Sequence, residues 1–309
     1  MAVSPVAVSV DGITKRYRKR TAVDTVSFTV PTGSVTGLIG PNGAGKTTVM
    51  AILLGLVKPS SGDATILGAP IRQRGHYLPK VGALIESPAF HPAVSGRDNL
   101  RSLAALSGHN GDDIDGLLDL VGLGDRGGDR FGSYSLGMKQ RLGIAAALLG
   151  DPELVILDEP TNGLDPQGMQ EVRDLIGRIS EQGRTVIVSS HLLAELEQVC
   201  DWLVVLDHGG LVHVGTPESL GATADSLVLA SESESDLDDL EVIARATGLE
   251  TDRSGGHVTI TLTDAVEARR LAADLNRRAH TAGIVLAELH HRRADLEARY
   301  LGLINSSAL

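Results

Sequence analysis

A glycine-rich run at position 40 is the first part of the sequence with an evident chemical use. The run consists of Gly40, Pro41, Asn42, Gly43, Ala44, Gly45, Lys46 and Thr47, and Thr48 follows it. Glycines in such a run let backbone N–H groups curl around phosphate oxygens at the positive end of a helix. Lys46 would bring a positive charge to the β- and γ-phosphates, and the Thr47 hydroxyl would ligate Mg²⁺. The spacing matches a P-loop, which predicts binding of a nucleotide with Mg²⁺.

An acidic pair at the end of an apolar run predicts a second part of the same site. Residues 154–158 read LVILD, and Glu159 follows them. Asp158 would hold a water of the Mg²⁺ shell from the end of a buried strand, and Glu159 would polarise the attacking water as general base. Together with the P-loop, this pair indicates a P-loop NTPase.

These motifs need a scaffold of alternating strands and helices. Strand-like apolar runs occupy 26–30, 34–40, 154–158 and 185–190. The run at 34–40 leads through the P-loop into an apolar helical pattern at 46–56, and an amphipathic helical pattern separates the last two runs. We therefore predict a three-layer α/β core with a parallel sheet, interrupted by a mostly helical stretch at about 95–150.

The run YSLGMKQR at 134–141 distinguishes between the classes of P-loop protein. It resembles the LSGGQ-type signature of the ATP-binding-cassette (ABC) family, with Ser135 and Gly137 on positions of that loop. The resemblance implies a RecA-like core with an antiparallel β subdomain and a helical subdomain. It also implies that Ser135 and the Gly137 N–H of a second copy contact the γ-phosphate, so that ATP is buried between the two cassettes of a homodimer.

Four further stations of the family follow in its usual order, and the resemblance spans roughly residues 6–220. Tyr17 matches the aromatic residue that stacks on adenine, Glu86 the Q-loop position, Asn162 to Asp165 the D-loop, and His191 the switch histidine. The chain departs from the family pattern twice, because the usual Q-loop glutamine is Glu86 and the usual D-loop serine is Asn162. A glutamate still offers an oxygen, so the expected metal-side residues are Thr47, Glu86 and Asp158.

The run LIESPAFHPAVSGRDNL at 84–100 resembles the subfamily of bacitracin- and lantibiotic-type exporters. This resemblance implies an ATPase that powers a separate integral membrane permease and exports an antimicrobial peptide, an antibiotic or another small molecule. A soluble ABC-type ATPase with a regulatory or resistance role remains an open alternative. ABC proteins that act on DNA ends are disfavoured, because about ninety residues without sustained heptads separate the P-loop from the signature. Ribosome-associated ABC factors are disfavoured because they resemble tandem cassettes with a basic linker, whereas this chain has one cassette and an acidic tail.

Composition and charge limit the partners. The chain has 309 residues, of which 42% are hydrophobic, with a net charge of −11 and a pI of about 5.3. This balance argues against nucleic acid as a partner, and the basic cluster at 15–20 reads as a solvated turn between two strands. The one cysteine, Cys200, reads as a buried small hydrophobe. Without a secretory leader or an apolar run of roughly 18–20 residues, we expect a cytoplasmic protein that is peripheral at the inner face of the membrane through its permease.

A change of composition after Pro217 indicates a second, smaller domain. We expect the ABC domain at 1–222 and an α+β domain at 223–309, with a linker at 221–226. Strand and helix patterns alternate in the second domain in an order that resembles a ferredoxin-like unit, followed by a terminal helix at 294–304. Dimer contact, partner docking and regulation all fit this domain.

Overall fold

The computed structural model describes residues 5–86, 90–109, 113–191, 198–220, 225–262 and 268–292. The chain divides into two compact units, Met1–Pro217 and Glu218–Leu309, whereas the composition of the sequence placed the boundary after residue 222. The linker residues 221–224 and the terminal helix expected at 294–304 lie outside the described residues. Within the described ranges, no helix is long and apolar enough to span a membrane.

Two sheets make up the described strands of the first unit. In chain order these strands are β1 (Val6–Tyr17), β2 (Arg20–Pro31), β3 (Val35–Ile39), β4 (Ser61–Ile66), β5 (Ala69–Pro70), β6 (Val81–Leu84), β7 (Leu154–Leu157), β8 (Thr185–Ser190), β9 (Trp202–Asp207) and β10 (Gly210–Gly215). One sheet has the order β2-β1-β4-β5 and is antiparallel. The other has the order β10-β9-β3-β8-β7-β6 and is parallel except for β10. Strands β3, β7 and β8 are buried along their whole length, which confirms the strands predicted from the apolar runs.

The described α-helices of the first unit lie between its strands in the chain. They are α1 (Lys46–Leu53), α2 (Arg74–Tyr77), α3 (Gly96–Ser107), α4 (Ile114–Leu120), α5 (Leu136–Ala147) and α6 (Pro166–Glu181). Helices α3 to α5 confirm the helical stretch predicted at about 95–150. Ser95 and Ser135 cap α3 and α5, because each hydroxyl accepts a hydrogen bond from the backbone N–H three residues later. Helix α6 begins with Pro166 and buries an apolar stripe of Val172, Leu175, Ile176 and Ile179.

The second unit has a sheet and a core of its own. Its described elements are β11 (Ser226–Ser231), α7 (Leu237–Arg245), β12 (Thr251–Ser254), β13 (His257–Thr261), α8 (Ala268–Thr281) and β14 (Leu286–Arg292). The strands form an antiparallel sheet in the order β12-β13-β11-β14. Leu227, Leu229, Val258 and Ile260 of the sheet join Leu240 of α7 in one apolar cluster. The order of strands and helices, βαββαβ, is that of a ferredoxin-like unit, as the sequence predicted.

Candidate functional site

A cleft of about 380 Å³ lies beside the N-terminus of α1. It is lined by Tyr17, Arg20, Ala22, Asn42, Gly43, Gly45, Lys46, Thr47, Thr48 and Glu159. The P-loop, the predicted adenine-stacking residue and the predicted general base therefore meet in one place, although they come from distant parts of the sequence. Arg20, which belongs to the basic cluster expected to be a solvated turn, and Ala22 also line it.

The backbone of the P-loop depends on its glycines. Gly43 and Gly45 have φ angles of 84° and 106°, which L side chains rarely adopt. A Cβ on Gly45 would lie 2.6 Å from the carbonyl oxygen of Ala22 on β2. The loop can therefore approach β2 only with a glycine at position 45. Ala44 is buried, and its N–H donates to the Pro41 carbonyl at 3.1 Å, which closes the turn.

The ammonium group of Lys46 is held within its own loop. The side chain is only 5% exposed, and Nζ donates to the carbonyl oxygen of Gly40 at 2.7 Å and to that of Pro41 at 3.4 Å. Glu159 Oε1 lies 3.3 Å from the same nitrogen. A phosphate entering the cleft can take the place of these partners, because an ammonium group offers three donors that rotate freely.

Asp158 is clasped from two sides at the end of β7. The Thr47 hydroxyl donates to Oδ2 at 2.8 Å, and the Ser189 hydroxyl donates to Oδ1 at 2.5 Å. Asp158 is buried, so these bonds compensate for the loss of water around its carboxylate. Ser189 was not singled out from the sequence. Its only signal there is a polar residue at the end of an apolar strand, two places before the predicted switch histidine.

Glu159 is fixed through both its backbone and its carboxylate. Its φ angle is +48°, and its N–H donates to the Ser189 hydroxyl at 2.8 Å. His191 Nδ1 lies 2.7 Å from Oε2, while Oε1 faces Lys46. The two oxygens of one carboxylate thus contact a P-loop cation and an imidazole. This arrangement suits a general base, because the imidazole of His191 holds the Glu159 carboxylate in one orientation.

Tyr17 forms the exposed end of the cleft. Its side chain is half-exposed, and the Lys15 ammonium lies 4.9 Å from the centre of its ring. Lys15 also donates to the carbonyl oxygen of Lys58 at 2.7 Å, which fixes the ammonium beside the ring. An exposed aromatic face at the mouth of the cleft fits a stacking partner.

The predicted signature and D-loop residues lie in a second cleft of about 420 Å³. Its lining includes Ser135, Gly137, Leu164 and Asp165. Helices α5 and α6 both begin here, each with its capping side chain, so two helix N-termini face one cleft. The lining of this cleft shares no residue with the P-loop cleft. Asn162 is close to the acidic pair, since its N–H donates to the Glu159 carbonyl at 3.1 Å.

Glu86, the third predicted metal-side residue, follows the strand β6 next to β7 but makes no described contact with the other two. It is exposed and has a φ angle of +60°. In the described part of the chain, no hydrogen bond or ion pair joins it to Thr47 or Asp158, which contact each other. Residues 87–89 of the same loop lie outside the described residues.

The oxygen donors of Thr47 and Asp158 fit Mg²⁺, which prefers oxygen ligands. No group of three or more His, Cys, Asp or Glu side chains that could hold a metal ion occurs among the residues the structure describes. A Mg²⁺ ion held here would take its remaining ligands from water and substrate phosphates, as is usual for this ion.

Comparison with known proteins gives a consistent family. A family model for "ABC transporter" matches residues 23–162. An uncharacterized ABC transporter ATP-binding protein of Bacillus subtilis is 46% identical over 205 residues, which cover 65% of this chain and 67% of that protein. The bacitracin transport ATP-binding protein of Enterococcus faecalis is 43% identical, with 69% and 70% covered. The lantibiotic transport ATP-binding protein of Streptococcus pyogenes is 42% identical, with 66% and 89% covered.

Solved structures agree with this family. The protein cbiO1 of Clostridium perfringens, a part of the ABC transporter complex cbiONQ, is 26% identical to this chain. It superimposes with a TM-score of 0.62, covering 70% of this chain and 90% of the other. The P-loop cleft, the separate signature cleft and the 42–46% identity to the three transport ATP-binding proteins lead to one conclusion. The chain belongs to the ABC transporter family, as an ATP-binding subunit that hydrolyses ATP.

Proposed function

We propose that this chain is the motor of an exporter, which uses ATP and Mg²⁺ to drive a separate integral membrane permease. The observation that carries the proposal is the set of contacts around the acidic pair. There a P-loop lysine, a P-loop hydroxyl and a histidine meet two adjacent carboxylates. Two relatives named for bacitracin and lantibiotic transport favour an antimicrobial peptide, an antibiotic or another small molecule as the cargo.

The chemistry follows from the side chains of the cleft. Lys46 exchanges the carbonyls of its loop for phosphate oxygens of ATP. Thr47 and Asp158 would hold Mg²⁺, which would neutralise phosphate charge. Glu159 takes a proton from the water that attacks the γ-phosphate. His191 Nδ1, 2.7 Å from the Glu159 carboxylate, fixes the orientation of that carboxylate. Tyr17 stacks on the adenine ring.

A second copy of the chain completes the site. Ser135 and Gly137 lie in a cleft that shares no lining residue with the P-loop cleft of the same chain. The N-terminus of α5, which Ser135 caps, favours an anion. A γ-phosphate bound to the P-loop of one copy is the anion that this N-terminus would meet in a closed homodimer. Asp165 caps the N-terminus of α6 in the same cleft and belongs to the same contact.

A membrane preparation from the native cell tests the coupling to a permease. The tagged chain should co-purify with an integral membrane protein, and its ATPase activity should rise when that protein is present. Export of the cargo from cells should stop with the variant Glu159→Gln. Full ATPase activity without any membrane protein, together with unchanged export in the variant cells, would instead favour a soluble ATPase with a regulatory or resistance role.

A further inference from the structure

The hairpin between β1 and β2 places an arginine beside the residue that we propose to stack on adenine. Arg18 and Lys19 form its tip, so the solvated turn predicted for the basic cluster at 15–20 is confirmed for these two residues only. Lys15, Arg16 and Arg20 lie on the strands. Tyr17 and Arg20 are directly opposite each other in the antiparallel register. Residues that face each other in this way project from the same face, with Cβ atoms about 4.5–5.5 Å apart. Both side chains line the P-loop cleft.

Arg20 reaches the P-loop but is only loosely held there. One guanidinium nitrogen, Nη2, donates to the carbonyl oxygen of Gly43 at 3.4 Å. This is a long hydrogen bond to a neutral acceptor, and a guanidinium group carries five N–H donors. Most of its capacity to donate is therefore available to a ligand in the cleft.

The balance of charge in the cleft makes this arginine important. Lys46 is paired with Glu159, so these two side chains together bring no net charge to the lining. None of the ion pairs in the described parts of the chain includes Arg20. The whole chain has a net charge of −11, which opposes the approach of an anion. Among the described residues that line the cleft, Arg20 is thus the one cation without an ion-pair partner. A nucleoside di- or triphosphate that enters the cleft would meet this charge.

We propose that Arg20 is a second phosphate-binding cation of this nucleotide site, which rests on the proposed function. The Tyr17 ring holds the base, and the guanidinium group beside it turns from the Gly43 carbonyl to the phosphates nearest the ribose. A planar guanidinium group can bind two phosphate oxygens at once, which an ammonium group cannot do in the same way. Arg20 is then a binding residue for ATP and for ADP alike.

Displacement of a fluorescent ATP analogue from the full-length chain tests this assignment. Arg20→Ala should weaken the binding of ATP and of ADP by about tenfold, since hydrogen bonds to charged groups are worth about 1.5 kcal/mol or more. Displacement by adenosine, which has no phosphate, should not change. Arg20→Lys should recover part of the loss, because the charge remains. Arg16→Ala is the matched control: Arg16 precedes Tyr17 on β1, so its side chain projects from the opposite face. The affinity of the Arg16→Ala variant for ATP should stay within about twofold of the wild-type affinity.

Three results would overturn the assignment. They are unchanged affinity in Arg20→Ala, an equal loss in Arg16→Ala, which would indicate only the general field, and an equal loss of adenosine binding, which would indicate a damaged hairpin. Lys46→Ala separates this test from that of the nucleotide site itself. If Lys46→Ala loses ATP binding and Arg20→Ala does not, the role of Arg20 is refuted and the P-loop site stands. If neither variant loses it, the nucleotide site fails as well.

Discussion

Glu86 and Glu159 occupy matching positions at the ends of two neighbouring strands. Leu84 of β6 pairs with Leu157 of β7, and each glutamate lies two residues beyond its member of the pair. Both residues have left-handed backbones, with φ angles of +60° and +48°. A residue with a Cβ pays roughly 1–2 kcal/mol for that conformation. The two acids are thus kept at paired positions where glycine would be more stable, which favours a functional reason for both.

The first prediction concerns Glu86. If this residue couples the cassette to the permease, Glu86→Ala should reduce export more than it reduces ATP affinity. Glu86→Gln should keep part of the export, because it has the same length and retains a carbonyl oxygen. Asp151→Ala is a suitable control, since Asp151 is another exposed acid with a positive φ angle of 51°. Equal export by the wild type and by Glu86→Ala, measured in inside-out vesicles, would show that this position is passive.

A second prediction concerns the P-loop lysine. Lys46→Ala removes the ammonium group that we place on the phosphates, so ATP binding should weaken by about tenfold or more. A titration with fluorescent ATP measures this loss. Lys80→Ala serves as the control, because Lys80 pairs on the surface with Glu153 at 2.7 Å. Binding that is unchanged in Lys46→Ala would refute the assignment of the P-loop.

The third prediction concerns oligomeric state. Glu159→Gln should bind ATP but not accept the proton of the attacking water, so the closed ATP-bound dimer should accumulate. Light scattering should report a dimer with ATP and a monomer or weak association for the wild type with ADP. Adding Ser135→Arg should abolish the dimer, because it places bulk at the γ-phosphate contact. A Glu159→Gln chain that stays monomeric with ATP, even when assembled with its permease, would contradict the shared site.

A fourth prediction separates two roles of Ser135. Its hydroxyl caps α5 just as Ser95 caps α3, and both helices have 12 residues. Ser135→Ala and Ser95→Ala should therefore each lower the free energy of unfolding by about 1 kcal/mol, measured by urea denaturation. Only Ser135→Ala should also lower the ATPase activity. If both variants lower it equally, Ser135 acts through helix stability alone.

A fifth prediction uses the single cysteine. Burial raises the pKa of the Cys200 thiol, and the neighbouring Asp201 adds to the effect. The native thiol should thus stay protonated and resist a thiol reagent at pH 8, but react once the chain is unfolded in guanidinium chloride. Since the folded state keeps a proton that the unfolded state loses, the free energy of unfolding should fall as the pH rises above the ordinary thiol pKa. Rapid labelling of the native protein at pH 8 would contradict this account.

Some parts of the site can be predicted from the sequence because local spacing encodes them. The P-loop, the acidic pair and the cap at Ser135 each depend on residues that are near one another in the chain. Ser189 and Arg20 have no such signal, since their roles depend on which strand lies beside β7 and which loop lies beneath the hairpin. The left-handed backbone of Glu86 could not be predicted from the sequence either, because this conformation at a glutamate contradicts local preference.

The division of the molecule at Pro217 also bears on how such a protein changes over generations. Every described strand pairing stays inside one unit: β1 to β10 pair among themselves, and so do β11 to β14. An inherited substitution in the ladder or the apolar cluster of the second unit therefore breaks no strand pairing beneath the ATP cleft. As far as strand pairing is concerned, the sequence of the second unit can therefore diverge, or the unit can be replaced by that of another gene, without disturbing the sheets of the first unit. Selection for a new partner could thus act there while the hydrolytic apparatus is conserved.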